Sequence, residues 1–262
     1  MISYARENVI SSFTIIKGAM IAETYDTLAR WDFGLSKKEN LDRLREENSI
    51  GASSATWLRD VAKVLNRRLE PEGRDRALVV LAQGGCPIDE WKPILLWHLT
   101  RDEFLFRDFL VNWLFHAYEE GVFRIRADDL HEYLRSLNGR GGETEHSWTD
   151  ATLARVAAGL LRMAVDFGLL KGKAIKEFAS YHLPERSLIY LIHVILEHED
   201  GNPRRMIESP EWRMYLMRPG DLETALLHLH QFRAVDYQVA GSLVQVSLPS
   251  ASSLACAEAM VA

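Results

Sequence analysis

Cysteine is scarce in this sequence, and long apolar segments are absent from it. The two cysteines, Cys86 and Cys256, lie far apart and form no CxxC or zinc-binding spacing. They therefore predict a reducing, intracellular compartment without a disulfide framework. The most apolar stretch, residues 104–118, is interrupted by charged side chains, and no run approaches the roughly 20 apolar residues of a membrane-spanning helix. Because the N-terminus also lacks a convincing secretory signal, we expect a soluble, cytoplasmic protein with no membrane span.

Sequence signatures of catalysis and cofactor binding are also missing. No GxSxG, Rossmann or P-loop pattern occurs, and the glycine-rich stretch at 138–146 lacks the Lys-Ser/Thr that ends a phosphate-binding loop. His193 and His198 flank Glu197, but their five-residue spacing sends the two imidazole rings to different faces of a helix. We therefore predict no catalytic residue, no metal site and no cofactor, and we expect that the protein is not an enzyme.

Positive charge is in the minority, with 31 lysines and arginines against 37 acidic residues and a net charge of −6. This balance argues against a protein that coats nucleic acid by bulk attraction. The distribution is uneven, since residues 1–70 and 139–182 each carry +1, whereas residues 71–138 and 183–262 each carry −4. Local basic patches on an acidic body indicate selective docking, on DNA or on an acidic partner.

A basic amphipathic helix is predicted over residues 53–69. Its apolar side chains recur with the spacing of one helical face, and they are Leu58, Val61, Ala62, Leu65 and Leu69. Three cations lie four residues apart on another face, and a fourth lies beside them: Arg59, Lys63, Arg67 and Arg68. A shorter helix at 36–47 precedes it, begun by a capping box of Ser36 and Glu39. Helix, glycine-containing turn and basic helix outline a helix-turn-helix unit, whose second helix can enter a DNA major groove.

A related pattern follows the glycine-rich stretch. A helix is predicted from about residue 150 to 167, with Arg155 and Arg162 on one face two turns apart. A glycine ends this helix, a leucine pair follows, and an extended basic segment then begins with Lys171 and Lys173. Helix, glycine and basic extended segment predict a winged-helix-like unit in which the helix and the wing share one cationic surface.

The periodicity of the whole chain predicts a mainly α fold. We expect a compact multi-helix protein, a monomer, with two helix-turn-helix or winged-helix-like units and one small C-terminal β-hairpin at 234–248. The predicted boundaries are an N-terminal helical domain at 1–137, a linker at 138–146 and a C-terminal helical domain at 147–249. Residues 250–262, rich in alanine and serine, are predicted to be a frayed tail.

Four segments resemble the BrxA family, whose members are small all-helical components of the BREX bacteriophage-exclusion systems. The segments are WLRDVAKVLNRRLEP, SWTDATLARVAAGLLRMAVDFGLLKG, FASYHLPERSLIYLIHVI and SPEWRMYLMRPGDLETALLHLHQFRAVDYQVAGSLVQVSLP. The resemblance covers residues 3–249 and implies a cytoplasmic, non-enzymatic DNA-binding protein that acts beside the methyltransferase and ATPase components of BREX. It also implies two helix-turn-helix-like units whose DNA-facing cations are Arg59, Lys63, Arg67, Arg68, Arg155, Arg162, Lys171 and Lys173.

Three interpretations of the basic helices remain open at this point. The preferred one is binding to double-stranded DNA, mainly through phosphate contacts. In the second, the same cations dock an acidic partner protein, and the chain is a scaffold or adaptor within the defence complex. In the third, the basic helices follow the backbone of RNA. Direct competition with duplex DNA separates the first interpretation from the second.

Overall fold

The structure, a computed structural model, describes residues 8–144, 147–241 and 243–262. Residues 145–146 at the end of the predicted linker lie outside this description, as do residues 1–7 and Ser242 of the predicted hairpin. The structure is 61% helical and contains two small antiparallel β-hairpins within its described residues. The predicted mainly α class is therefore confirmed.

The first part of the chain folds into short helices joined by tight turns. They are α1 (Ser12–Lys17), α2 (Ile21–Ala29), α3 (Lys37–Glu47), α4 (Ala55–Arg68), α5 (Arg76–Gln83) and α6 (Ile88–Leu99). The predicted capping box is present at α3, where the Ser36 hydroxyl accepts from the backbone N–H of Glu39 and the Glu39 carboxylate accepts from that of Ser36. The turn before α4 contains Gly51 at a φ of +64°, a left-handed conformation that favours glycine.

The helical segment that follows α6 is irregular. α7 (Phe104–Asp108) passes into a π-helical segment at Phe109–Leu114, and α8 (Phe115–Glu119) follows. Most of its large apolar side chains are buried in the core, whereas Tyr118 is exposed. A 3₁₀ turn at Ala127–Leu130, the short helix α9 (His131–Arg135) and a second 3₁₀ turn at Leu137–Arg140 come next.

The second part of the chain begins with the long helix α10 (Asp150–Asp166), whose N-cap is Thr149. Strands β1 (Leu170–Lys171) and β2 (Glu177–Phe178) then form a short hairpin where an extended basic segment is predicted. The remaining elements are α11 (Glu185–His198), α12 (Pro203–Glu208), a 3₁₀ helix at Pro210–Tyr215, α13 (Pro219–Gln231), β3 (Asp236–Ala240), β4 (Leu243–Ser247) and α14 (Ser253–Val261). Strands β3 and β4 are the predicted C-terminal hairpin.

One hydrophobic core runs through the described residues and crosses the predicted domain boundary. α1 packs along α10, and α6 packs against α11, so helices of both predicted domains face each other. The predicted linker is tied to the N-terminal segment, because Glu143 exchanges backbone hydrogen bonds with Asn8 and Ile10 at 3.0 and 2.8 Å. Gly142 packs closely against Ile10, and a Cβ atom at this position would clash with the Ile10 side chain. This part of the predicted linker is therefore packed against the N-terminal segment and does not form a free connection.

The predicted frayed tail at 250–262 is corrected to a docked helix. α14 packs against α5 and α11 and buries Cys256 and Ala257. The Glu197 carboxylate accepts hydrogen bonds from the backbone N–H and the hydroxyl of Ser253 at 2.6 and 2.7 Å. The small side chains that suggest a low-complexity tail are the ones that allow this helix to approach its neighbours closely.

The crossing of α1 and α10 depends on one glycine, and this dependence can be tested. A Cβ atom on Gly159 would lie 2.7 Å from the carbonyl oxygen of Ile15. We therefore expect Gly159→Ala to lower the free energy of unfolding by about 1–3 kcal/mol, the usual cost of overpacking, in urea denaturation. Gly220→Ala is the matched control, because a Cβ there meets nothing within 4 Å and alanine favours a helix. Equal stability of the two variants would contradict the close crossing.

Candidate nucleic-acid interface

The predicted cations of α4 lie beside α1. Arg59 is exposed and donates to the Thr56 hydroxyl at 3.2 Å. One turn later, the exposed ammonium group of Lys63 lies 4.5 Å from the centre of the Phe13 ring. One further turn along, the half-buried Arg67 donates from Nη2 to the Val9 carbonyl oxygen at 2.6 Å. The cationic face of α4 is therefore fixed along α1 and the residues just before it.

The predicted cations of α10 also lie along α1. Arg162 is exposed, and its guanidinium donates to the carbonyl oxygen of Ile16. Arg155, also exposed, precedes Gly159 by four residues and Arg162 by seven, so helical spacing places it on the face that meets α1. Two helices more than 80 residues apart in sequence thus bring their cations to the same short helix. We call Arg59, Lys63, Arg67, Arg155 and Arg162 the α1 basic surface.

These cations differ from most others in their electrostatic neighbours. Within the described residues, none of the five forms an ion pair with a carboxylate, and the same holds for Lys171 and Lys173. Other exposed arginines of the described residues are divided, since Arg135 and Arg204 pair with Asp150 and Glu208, whereas Arg124 and Arg233 have no carboxylate partner. A cation that no carboxylate neutralises keeps its charge available for an anionic ligand.

Arg68, the fourth predicted cation of α4, is corrected to an interior residue. Its side chain is only 2% exposed, and its Nε donates to Glu103, which is equally buried, at 2.8 Å. Its remaining donors bind the carbonyl oxygens of Thr14, Gly18 and Ala19 at 2.9–3.2 Å. Arg68 therefore cannot contact DNA in this structure, and it holds α1 in place instead.

The position of Arg68 relative to the apolar residues of α4 indicates that it is buried, although its spacing from the other cations does not. Seven residues make almost two full turns, so Arg68 lies nearly in line with Val61, which is fully buried. It also follows the buried residues Val64 and Leu65 by four and three positions. An arginine in line with an apolar stripe is therefore expected to face the core, although the stripe does not identify its partner.

The hairpin cations form a separate group. Lys171 and Lys173 are exposed, and Lys171 pairs in register with Glu177 across β1 and β2. The ammonium group of Lys176 donates to the backbone carbonyls of Gly172 and Lys173, which closes the turn. In the described ranges, no hydrogen bond or ion pair connects Lys171 or Lys173 to the α1 basic surface. The structure therefore brings together five of the predicted cations, those of the α1 basic surface, but not the two hairpin lysines.

Arg162 lies at the edge of the surface, in a mixed electrostatic setting. A cavity of about 470 Å³ beside it is also lined by Glu23, Lys92 and Asp166. Partial burial raises the pKa of the Asp166 carboxyl, while the charge of Arg162 acts in the opposite direction. Arg155 and the α4 cations are therefore better placed than Arg162 to meet a polyanion.

Sequence reasoning missed a cavity at the other end of α1. It has a volume of about 630 Å³ and lies between the start of α1, the last turns of α4 and the beginning of α10. Lys63 and Arg67 line it together with residues not predicted as functional, among them Phe13, Trp148 and Thr152. Residues from three separate segments meet there, and only the contact of α1 with both helices brings them together.

The polar groups most suggestive of acid–base chemistry are sealed in the core. The imidazole of His98 lies 2.7 Å from the Asp75 carboxylate and 2.8 Å from the Tyr190 hydroxyl, and all three side chains are at most 1% exposed. Desolvation lowers the pKa of His98, although the neighbouring Asp75 carboxylate acts in the opposite direction. Across the described residues, no three His, Cys, Asp or Glu side chains are grouped to hold a metal, and no helix is long and apolar enough to cross a membrane.

Comparison with known proteins finds one family. A sequence model of the BrxA family matches residues 12–193, which is more than half of the chain. The matched region contains α1, α4, α10 and the β1–β2 hairpin, and therefore all eight predicted cations. No curated protein matches the sequence.

The different roles of Arg68 and Arg59 predict that their substitution changes the free energy of unfolding by different amounts. Arg68→Met leaves the carboxylate of Glu103 buried without its partner, so we expect a loss of about 3–5 kcal/mol in the free energy of unfolding. Arg59→Met, on the exposed face of the same helix, is expected to change it by less than about 0.5 kcal/mol. Urea denaturation of both variants measures the difference. Similar small losses in the two variants would show that Arg68 is not the buried anchor described above.

Proposed function

The chain belongs to the BrxA family, and from this membership we propose that it is a non-enzymatic, double-stranded-DNA-binding component of a BREX phage-defence system. Membership implies a BREX-associated role. The DNA-binding function, the lack of catalysis and a cytoplasmic site of action beside other BREX components are our proposals. The observation that supports DNA binding is the α1 basic surface.

The surface has the charge that a phosphate backbone requires. Its five cations are exposed or half-buried and have no carboxylate partner among the described residues, although the chain as a whole carries −6. They come from two helices, α4 and α10, so the charge forms an area rather than a single row. Such an area suits contacts to several phosphates of one duplex, which give affinity with little dependence on base sequence.

Salt dependence follows from this picture. Each phosphate neutralised on B-DNA contributes about −0.9 to the slope of log K against log salt, so five contacts predict a slope of about −4 to −5. A non-enzymatic role is consistent with the burial of the His98–Asp75 pair, which a substrate cannot reach. We therefore expect a binding protein that positions DNA for partner proteins rather than one that alters it.

The test is fluorescence anisotropy with a labelled random-sequence duplex over a salt series. One variant carries Arg59→Glu, Lys63→Glu and Arg155→Glu, three exposed positions of the α1 basic surface. The matched control carries Lys38→Glu, Arg124→Glu and Arg204→Glu, which are equally exposed and change the net charge by the same amount. We expect the first variant to lose at least tenfold in affinity, which corresponds to about 1.4 kcal/mol, and the control to lose much less.

Equal losses in the two variants would show that bulk charge, not this surface, carries the binding. No duplex binding by the unaltered protein at low salt would reject the DNA function and favour the docking of an acidic partner protein. Unlabelled duplex DNA and unlabelled duplex RNA serve as competitors, and stronger competition by RNA would favour the RNA interpretation.

A further inference from the structure

The cavity between α1, α4 and the start of α10 has the composition of an anion site. Lys63 and Arg67 line it, and none of its described lining residues is acidic. The other large cavities differ in this respect, since Glu185 and Asp221 line one of about 590 Å³ and Asp166 lines the one beside Arg162. A cavity with cations and no carboxylate attracts anions and repels cations.

Arg67 is held in place at the wall of this cavity. Its Nη2 donates to the Val9 carbonyl oxygen at 2.6 Å, and its Nε atom is buried. Because Arg67 lines the cavity and forms no ion pair with a carboxylate among the described residues, its charge is available to an anion bound there.

The start of α10 forms another wall of the cavity. Its N-cap Thr149 and the half-buried Thr152 are lining residues, and the Thr149 hydroxyl oxygen accepts from the Thr152 backbone N–H at 3.3 Å. The helix dipole favours negative charge at this end of α10. Asp150, the acidic residue of this turn, does not line the cavity and pairs with Arg135 at 3.1 Å. Two cations and the positive end of a helix dipole therefore lie at the same cavity.

Aromatic side chains distinguish this site from one for a bare anion. Phe13 and Trp148 line the cavity, and both are half-buried, so parts of their rings remain accessible. Its volume of about 630 Å³ falls in the range of small-molecule sites, about 300–1,000 Å³, and exceeds what a phosphate ion alone would fill. Aromatic rings next to cations are how proteins hold a nucleobase with its phosphate.

We propose that this cavity binds a nucleoside phosphate. The phosphate lies with Lys63, Arg67 and the N-terminus of α10, and the base lies with Phe13 and Trp148. The nucleotide can be free in solution or an unpaired nucleotide of DNA, and both sources present the same chemistry. The proposal goes beyond backbone contacts to a duplex, and binding of a free nucleotide does not require that the protein bind DNA.

The test uses a charge placed in the cavity without disturbing α10. Thr152→Glu creates a Thr-x-x-Glu capping box with Thr149, so the start of the helix is preserved while a negative charge is added at the wall of the cavity. Ala151→Glu is the matched control, because it adds the same charge to the same first turn at an exposed position that does not line the cavity. Circular dichroism verifies that both variants keep the helical content of the unaltered protein.

Isothermal titration calorimetry with AMP measures the free-nucleotide arm, and anisotropy with a labelled duplex that contains one unpaired adenosine measures the DNA arm. In at least one arm, we expect Thr152→Glu to weaken binding about tenfold or more and Ala151→Glu to leave it within about twofold. Loss in the AMP arm identifies a free nucleotide, and loss in the DNA arm alone identifies an unpaired nucleotide of DNA.

The site is rejected if neither probe distinguishes the two variants. It is also rejected as a nucleoside site if inorganic phosphate competes as well as AMP, since base recognition would then be absent. AMP binding that is lost in Thr152→Glu, together with no binding to fully paired duplex, would retain this site and reject the DNA function proposed above.

Discussion

The ion pair between Arg68 and Glu103 is the contact on which the candidate surface depends. Both side chains are only 2% exposed, and Arg68 also donates to three backbone carbonyl oxygens in and just after α1. A helix of six residues is unstable by itself, so tertiary contacts must hold α1 in place. Because α1 contacts both α4 and α10, fixing α1 also fixes how the cations of these helices are arranged. An interior arginine therefore determines the geometry of an exterior surface.

Further buried charges extend this arrangement across the chain. Arg101, beside Glu103 in sequence, binds Glu211 of the 3₁₀ helix at 210–215, and Arg107 of α7 binds the same carboxylate at 2.7 Å. Buried ion pairs contribute less net stability than their Coulomb attraction suggests, but removal of one partner is strongly destabilising. These pairs join the end of α6 and α7 to the C-terminal part of the chain, which is one reason why the two predicted domains share a core.

Much of the local structure could be predicted from the sequence, because it depends on neighbours in the chain. The amphipathic faces of α4 and α10, the capping box at Ser36 and the hairpin of β3 and β4 follow from spacing and turn residues. The burial of Arg68 depends on Glu103, which lies 35 residues away, and no local pattern reveals this partner. The cavity beside Trp148 and the docking of α14 likewise depend on which segments meet in space. Prediction therefore gives the helices and most of the cations, while the arrangement of the cations requires the structure.

We propose that α4 and α10 present one binding surface across α1. Hydrogen–deuterium exchange of the protein with and without excess duplex DNA can show whether the two helices bind together. We expect slower exchange on DNA binding in α1, α4 and α10 together, with little change at the β3–β4 hairpin. Protection confined to the β1–β2 hairpin, or to one of the two basic helices alone, would contradict a shared surface.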